Sequence, residues 1–215
     1  MRVEELAPGL WCWTALHPEW TPEIGRADGW DQEVSCVYYE SPEAVILIDP
    51  LVPPEDEQRF WHALDRDLAR AARPLHVLIT ILWHARSTPE IVARYPRTRV
   101  WVHEPAAEAI AHRTPYTDRF RAGDALPGPV LSFDAHRAWE VLFWLPEHRT
   151  LVAGDLLTGT GDGLRVRDEW LGHVHPRELR ETLRAELDLP IERVLVAHGP
   201  PVLAGGRADV DAALE

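Results

Sequence analysis

Between Ala44 and His112 continuous apolar runs alternate with segments of helical period, and this alternation constrains the fold more than any other feature of the chain. Ala44–Ile48 is a short β-type run closed by Asp49-Pro50. From Glu55 to Ala72 the apolar positions Phe60, Leu64, Leu68 and Ala71 recur at helical spacing, which predicts an amphipathic helix laid on a sheet. Pro74 resets the chain, and Leu75–Thr80 is again continuously apolar. Thr88–Tyr95 predicts a short helix opened by a Thr-Pro pair, Arg99–His103 a strand and Pro105–His112 another helix. Strand and helix in strict turn argue for βαβ units.

The flanking regions differ in kind. Gly9–Leu16, rich in Trp, and Val34–Tyr39 predict an opening meander of strands, separated by Pro18–Gln32, an aperiodic Pro-, Gly- and Trp-containing loop of the sort that borders sites. In the second half, Val130–Phe133, Val141–Trp144 and Thr150–Ala153 predict strands, Leu179–Leu187 a helix and Val194–Ala197 a last buried strand. Leu157–Gly163 has the composition of a flexible loop. Two sheets packed face to face with helices outside accommodate this order in one domain spanning 1–215.

Composition narrows the function. The chain carries a formal net charge of -13, and all of its basic residues apart from His are Arg. Phosphate backbones and anionic lipid heads would be repelled, so neither a nucleic-acid nor a membrane partner is expected. The absence of a bilayer-length apolar run and of a leader-like N-terminus points to a cytoplasmic protein. Cys12 and Cys36 fall on neighbouring strands; a bridge between them is geometrically open, but two reduced thiols are expected in that compartment. Each of the ten Trp is a large apolar surface to be buried or used in lining a pocket.

Four local signals then coincide. One apolar strand ends in Asp49, another in Thr80, Trp144–Asp155 reads W-L-P-E-H-R-T-L-V-A-G-D, and Val194–Pro201 reads V-L-V-A-H-G-P-P. In this order they resemble the metallo-β-lactamase superfamily, over nearly the whole chain. The resemblance implies an α/β fold, a four-layer αββα sandwich. It also implies one or two metal ions, usually zinc, held by a His-x-His-x-Asp-His loop after the second of these strands, a third His, a bridging Asp and a last His. Carried over by position, it puts His136 as the third His, Asp155 as the bridging Asp and His198 as the last His. The loop itself is overwritten: Ile81, Trp83, Ala85 and Arg86 stand where ligands are expected.

Ile has no donor atom, Trp offers only an N–H, and Arg brings a permanent charge, so a two-metal hydrolase cannot be assembled from this inventory. Several arrangements remain open. His84 can compensate, making a two-His-one-carboxylate site with His136 and Asp155; or His136, Asp155 and His198 can close on one ion. Alternatively Arg86 replaces the metal by pairing with Asp155, and Trp83 fills the emptied pocket. His173 and His175 are candidate replacement ligands or substrate contacts, and Asp49 a residue that orients the metal loop. The expected function is that of a hydrolase-like protein with a degenerate site and at most one divalent metal, zinc first. Asp155 and His84 would be catalytic on a small ester- or thioester-type molecule. The alternative is a metal-free pseudoenzyme that binds a small molecule through Arg86 and Trp83, with Trp20 or Trp30 lining the cleft. Exposed Trp residues would also serve a homo-oligomer.

Overall fold

Along β4 (Val45–Ile48) successive side chains enter two different apolar layers. Val45 and Leu47 pack among helix side chains, while Ile46 and Ile48 face a second sheet. The same alternation divides β9 (Val141–Leu145), whose Val141, Phe143 and Leu145 point to the shared layer and whose Leu142 and Trp144 point away. Side chains alternate across a strand, so a strand apolar at every position must be covered on both sides. Three apolar layers separate four layers of structure: helices, sheet, sheet, helices. The computed structural model from which this architecture is described covers residues 1–25 and 29–215.

The first sheet runs in chain order. Strands β1 (Arg2–Ala7), β2 (Leu10–Leu16), β3 (Glu33–Glu40) and β4 form an antiparallel meander. Then β4, β5 (Leu75–Leu78), β6 (Arg99–His103) and β7 (Asp118–Phe120) are parallel. Parallel neighbours need crossovers, and α1 (Glu57–Ala71), α2 (Thr88–Arg94) and α3 (Ala107–Ala111) supply them. Phe60 and Leu64 of α1, Ile91 of α2 and Ile110 of α3 are buried against the outer face of this sheet. Each such side chain contributes about 1.5–3 kcal/mol of burial. Helix α1 stops where Ala72 turns left-handed (φ 53°) and its N–H caps the Leu68 carbonyl, two residues before Pro74.

The second sheet has the order β13 (Arg193–Val196), β10 (Thr150–Ala153), β9, β8 (Leu131–Asp134), with β13 parallel to β10 and the remainder antiparallel. Helices α4 (Pro176–Glu186) and α5 (Gly206–Ala213) contribute Leu179, Leu183 and Val210 to its outer face. Tyr39, Leu78 and Phe120 from the first sheet meet Phe143, Val152 and Leu195 from the second in the central layer.

One expectation is corrected, and one open possibility is closed. Leu157–Gly163 is not a flexible loop: β11 (Leu157–Thr160) and β12 (Gly163–Val166) form a hairpin. Cys12 and Cys36 cannot bridge. In the β2–β3 ladder Cys12 lies opposite Val37 and Cys36 opposite Trp13, so the thiols occupy opposite faces of the sheet. Both are free and buried, and burial pushes them up, to about 11 for Cys12 and about 12 for Cys36.

The hairpin also fixes the chain after β13. Gly159 N donates to the His198 carbonyl at 2.9 Å. A Cβ on Gly159 would overlap the Pro200 carbonyl, and one on Gly199 (φ 81°) would overlap the Gly159 carbonyl. Two backbones therefore cross at a distance that only glycine permits. Gly159→Ala is expected to lose about 3 kcal/mol of unfolding free energy in urea titrations, as overpacking does. Gly161→Ala, with no atom within 4 Å of the added carbon, is the control and should change stability by less than about 0.5 kcal/mol.

Candidate metal centre

Four polar residues sit just beyond the C-terminal ends of two pairs of parallel strands. The β4–β5 register matches Ile48 with Leu78, which brings Asp49 next to Thr80. The β10–β13 register matches Ala153 with Val196, which sets Asp155 and His198 side by side, each two residues further on. Crevices at the carboxyl ends of parallel strands are where open α/β sheets place their ligands. The two pairs face one another because the start of β3 is tied to the end of β13: Ser35 N donates to the Ala197 carbonyl at 2.9 Å, and Val34 bridges His198.

Asp49, 3% exposed, organises the first pair. Its Oδ1 accepts from Thr80 N at 2.8 Å, and its Oδ2 accepts from Thr80 Oγ1 at 2.5 Å and from His84 Nδ1 at 2.8 Å. With Nδ1 engaged, His84 turns Nε2 to Asp155 Oδ1, 3.2 Å away. His198 Nε2 stands at 3.2 Å from the same oxygen. The Gly before Asp155 is required here, because a Cβ on Gly154 would lie 2.6 Å from Thr80 Oγ1 and 3.0 Å from Glu140 Oε1.

Neither imidazole contact to Asp155 is aligned as a hydrogen bond, and Asp155 Oδ1 is buried with no hydrogen-bond partner among the described residues. The two nitrogens and this oxygen lie within 4.8 Å of one another. Donors on a tetrahedral zinc at about 2.0–2.1 Å are about 3.3 Å apart, so the two nitrogen–oxygen separations of 3.2 Å match neighbouring ligands of one small ion. The donor set fits a divalent metal, with Asp49 behind His84 in the carboxylate–histidine–metal arrangement that fixes the tautomer.

Electrostatics agree with a cation-seeking cluster. Burial pushes the Asp155 carboxyl up, but His84 and His198 together hold it well below the usual carboxylate range. Burial and Arg86 push His84 down; Asp49 and Asp155 outweigh them, leaving it raised. His198 is lowered, chiefly by burial. His17, whose ring meets Trp30 edge-on at 5.0 Å, is lowered to about 4 by burial with the positive charge of Arg86 adding to it.

A cavity of about 560 Å³ opens onto the three donors. Trp30 and Trp170 both pack against His198, at 5.2 and 5.8 Å between ring centroids, and Trp20 Nε1 donates to the Trp30 carbonyl at 2.7 Å. The loop expected to border a site does so through Glu19 and Trp30; Trp20 is one step behind.

Several sequence assignments move. His136 is not with Asp155 and His198. Its N–H is capped by Asp134 Oδ1 at 2.6 Å, its φ is 55°, and its ring points away to Glu186 Oε2 at 2.9 Å. Arg137 lines the cavity instead. The Arg86–Asp155 pair does not form: Arg86 Nη1 donates to the carbonyls of Ser35 at 3.0 Å and Asp49 at 2.9 Å. Trp83 does not fill the pocket; it is 54% exposed at the rim, with the Arg113 guanidinium 4.6 Å over its ring. His173 is exposed and His175 precedes α4 beside a separate cavity, so neither joins the cluster. Sequence reasoning missed Arg137 and Glu140. The available signal was Glu140 itself, an acid opening the apolar run Val141–Leu145; it is fully buried.

No protein-family model and no curated protein matches this sequence. Among solved structures it is similar to the DIM-1 metallo-β-lactamase, with a TM-score of 0.71 at 12% identity over 99% of this chain and 95% of that one. It is also similar to the FIM-1 metallo-β-lactamase from Pseudomonas aeruginosa in its mono-zinc form (TM-score 0.69, 13% identity, 99% of this chain and 94% of that one). A metallo-β-lactamase from Pontibacter korlensis gives 0.67 at 17% identity, covering 99% and 98%. The chain therefore has the metallo-β-lactamase fold, the α/β sandwich expected from its motifs.

The raised His84 yields a pH prediction for chelator-treated protein. A group whose folded value lies above its unfolded value contributes stability that is fully present below the unfolded value, near 6.5, and is lost as pH rises through the folded one. Urea unfolding of the metal-free protein should therefore show stability declining above pH 6.5, and His84→Gln should abolish that slope.

Proposed function

We propose that this chain is a hydrolase-type protein that holds one divalent metal ion, zinc by its donor chemistry, on His84 Nε2, Asp155 Oδ1 and His198 Nε2. Its substrate would be a small ester- or thioester-type molecule. The observation that carries the reading is the convergence of two imidazole nitrogens, each at 3.2 Å, on one buried carboxylate oxygen that no proton donor satisfies. With His84 Nδ1–H given to Asp49, the Nε2 lone pair faces a negatively charged oxygen, and only a cation or an added proton makes that contact favourable. The mono-zinc form of FIM-1, on the same fold, gives a precedent for a single ion.

The chemistry supplied when the metal is bound is Lewis acidity toward water and an acyl carbonyl. The protein's own contributions are separate. Asp49 keeps the proton on Nδ1 and holds the ring direction, while Trp30 and Trp170 shield His198 from bulk water. Arg86, anchored by two carbonyls, places a permanent positive charge beside the site. His17, lowered to about 4, is neutral at pH 7 and available as a proton acceptor in the cavity. The metal-free alternative loses its motivating contact, since the Arg86 guanidinium is committed to backbone carbonyls.

Elemental analysis and zinc titration test the reading. The wild type should bind close to one equivalent, Asp155→Ala and His198→Ala should bind none, and Asp49→Asn should weaken affinity about 10- to 100-fold. His136→Ala should bind as the wild type does, which separates this site from the one assigned by motif position. A wild type that takes up no zinc, manganese or iron would overturn the proposal.

A further inference from the structure

The turn between β8 and β9 presents Arg137 to the cavity as a buried cation without adequate partners. Its side chain is 5% exposed, and neither Nε nor Nη1 has a hydrogen-bond partner among the described residues. The acid near it is Glu140, whose Oε2 stands 3.5 Å from Arg137 Nε, unaligned and itself unpartnered. The other oxygen of Glu140 accepts from Leu156 N at 2.9 Å. At 3.5 Å and unaligned, this single carboxylate oxygen leaves the N–H groups of the guanidinium unsatisfied. An unmatched buried guanidinium is costly, and such groups are normally paired with an anion that satisfies their N–H bonds.

A second cation is satisfied only in part, its Nη1 donating to the Ser35 and Asp49 carbonyls. Arg86 lines the cavity and its Nε is buried with no hydrogen-bond partner among the described residues. Arg113 adds a third at the mouth, held over Trp83. This basic lining belongs to a chain with a net charge of -13. Glu19 and Asp155 are the acids of the lining, so the three guanidiniums leave a local excess of positive charge, which favours anions in a cleft.

We propose that the molecule acted on carries an oxyanion group, a carboxylate or a phosphate, and that Arg137 is the residue that binds it, with Arg86 alongside. The inference rests on the cavity being the reaction site. It assigns to the turn after β8 a recognition role in place of the ligand role that His136 was expected to have. Guanidinium groups bind both oxyanions through charge-assisted hydrogen bonds, and a neutral analogue leaves those N–H groups unsatisfied.

Isothermal titration with phenylacetate, phenyl phosphate and the neutral phenylacetamide, on zinc-loaded and on chelated protein, tests this. At least one anion should bind in both forms, and phenylacetamide should bind at least about tenfold more weakly, the discrimination a lost charged hydrogen bond produces. Which anion binds more tightly identifies the group. Arg137→Met should lose at least about tenfold in anion affinity, Arg137→Lys should recover part of it, and both should keep the zinc stoichiometry of the wild type. Because Glu140 is the acid beside the guanidinium, the double variant Arg137→Met/Glu140→Gln, which removes both charges, should melt within a few degrees of the wild type.

Equal affinity of wild type and Arg137→Met for the anion, equal affinity for anion and amide, or no anion binding would overturn the proposal. So would a large loss of folded Arg137→Met protein, which would make the guanidinium structural. Failure of zinc binding with Arg137-dependent anion binding intact would instead remove the metal reading alone.

Discussion

The carboxylate of Asp49 accepts three hydrogen bonds, from Thr80 N, Thr80 Oγ1 and His84 Nδ1, while almost wholly out of water. Two of these join the ends of adjacent parallel strands and the third aims a ring at the cavity, so the packing of β4 on β5 and the direction of His84 are a single interaction. A buried charge is tolerated only when its lone pairs are satisfied. Asp49 meets that condition with protein groups alone. Asp155, at the matching position of the other sheet, does not: its Oδ1 has no hydrogen-bond partner among the described residues, so Asp49 holds the frame while Asp155 faces the cavity.

Backbone strain collects around the same cavity. Asp49, Arg86 and His136 all have positive φ, at 52°, 37° and 55°. Non-glycine residues adopt this region at a cost and persist there when surrounding contacts over-determine them. At Arg86 those contacts are the carbonyls of Ser35 and Asp49. At His136 they are the Asp134 cap and the Glu186 partner, and beyond Arg137 both Ala138 and Trp139 also have positive φ. The turn thereby directs Arg137 inward and His136 outward, a one-residue exchange that replaces an imidazole by a guanidinium at the cavity wall.

Aromatic rings govern what that wall presents. Trp30 and Trp170 flank His198 and thin the water around it, which strengthens the electrostatic effects of Arg86 and Asp155 on the imidazoles. The lowering of His17 and His198 follows chiefly from that dry setting, whereas Asp155 is depressed against it by the two imidazoles at short range. Trp83, by contrast, is out in solvent under Arg113, where it edges the opening. The expectation that Trp residues line a pocket therefore holds for Trp30 and Trp170, by way of a loop and a turn distant in sequence.

The sequence by itself determined the layered architecture, because runs such as Val45–Ile48 and Val141–Leu145 are apolar at every position and have to be buried on both faces wherever they lie. It also determined that Asp49, Asp155 and His198 would follow strand ends, and that Ile81, Trp83, Ala85 and Arg86 follow Thr80 in place of His and Asp, since those statements depend on residue type and local pattern. It left β1 unread because that strand is a largely exposed edge, and β11–β12 because Gly and Thr carry little periodic signal. Only the tertiary structure decided which side chains meet. Whether His84 or His136 joins Asp155 depends on a tight turn at 82–85, a left-handed φ at 136 and the glycine crossing at 159 and 199. These geometries are set by long-range packing, and no local pattern encodes them.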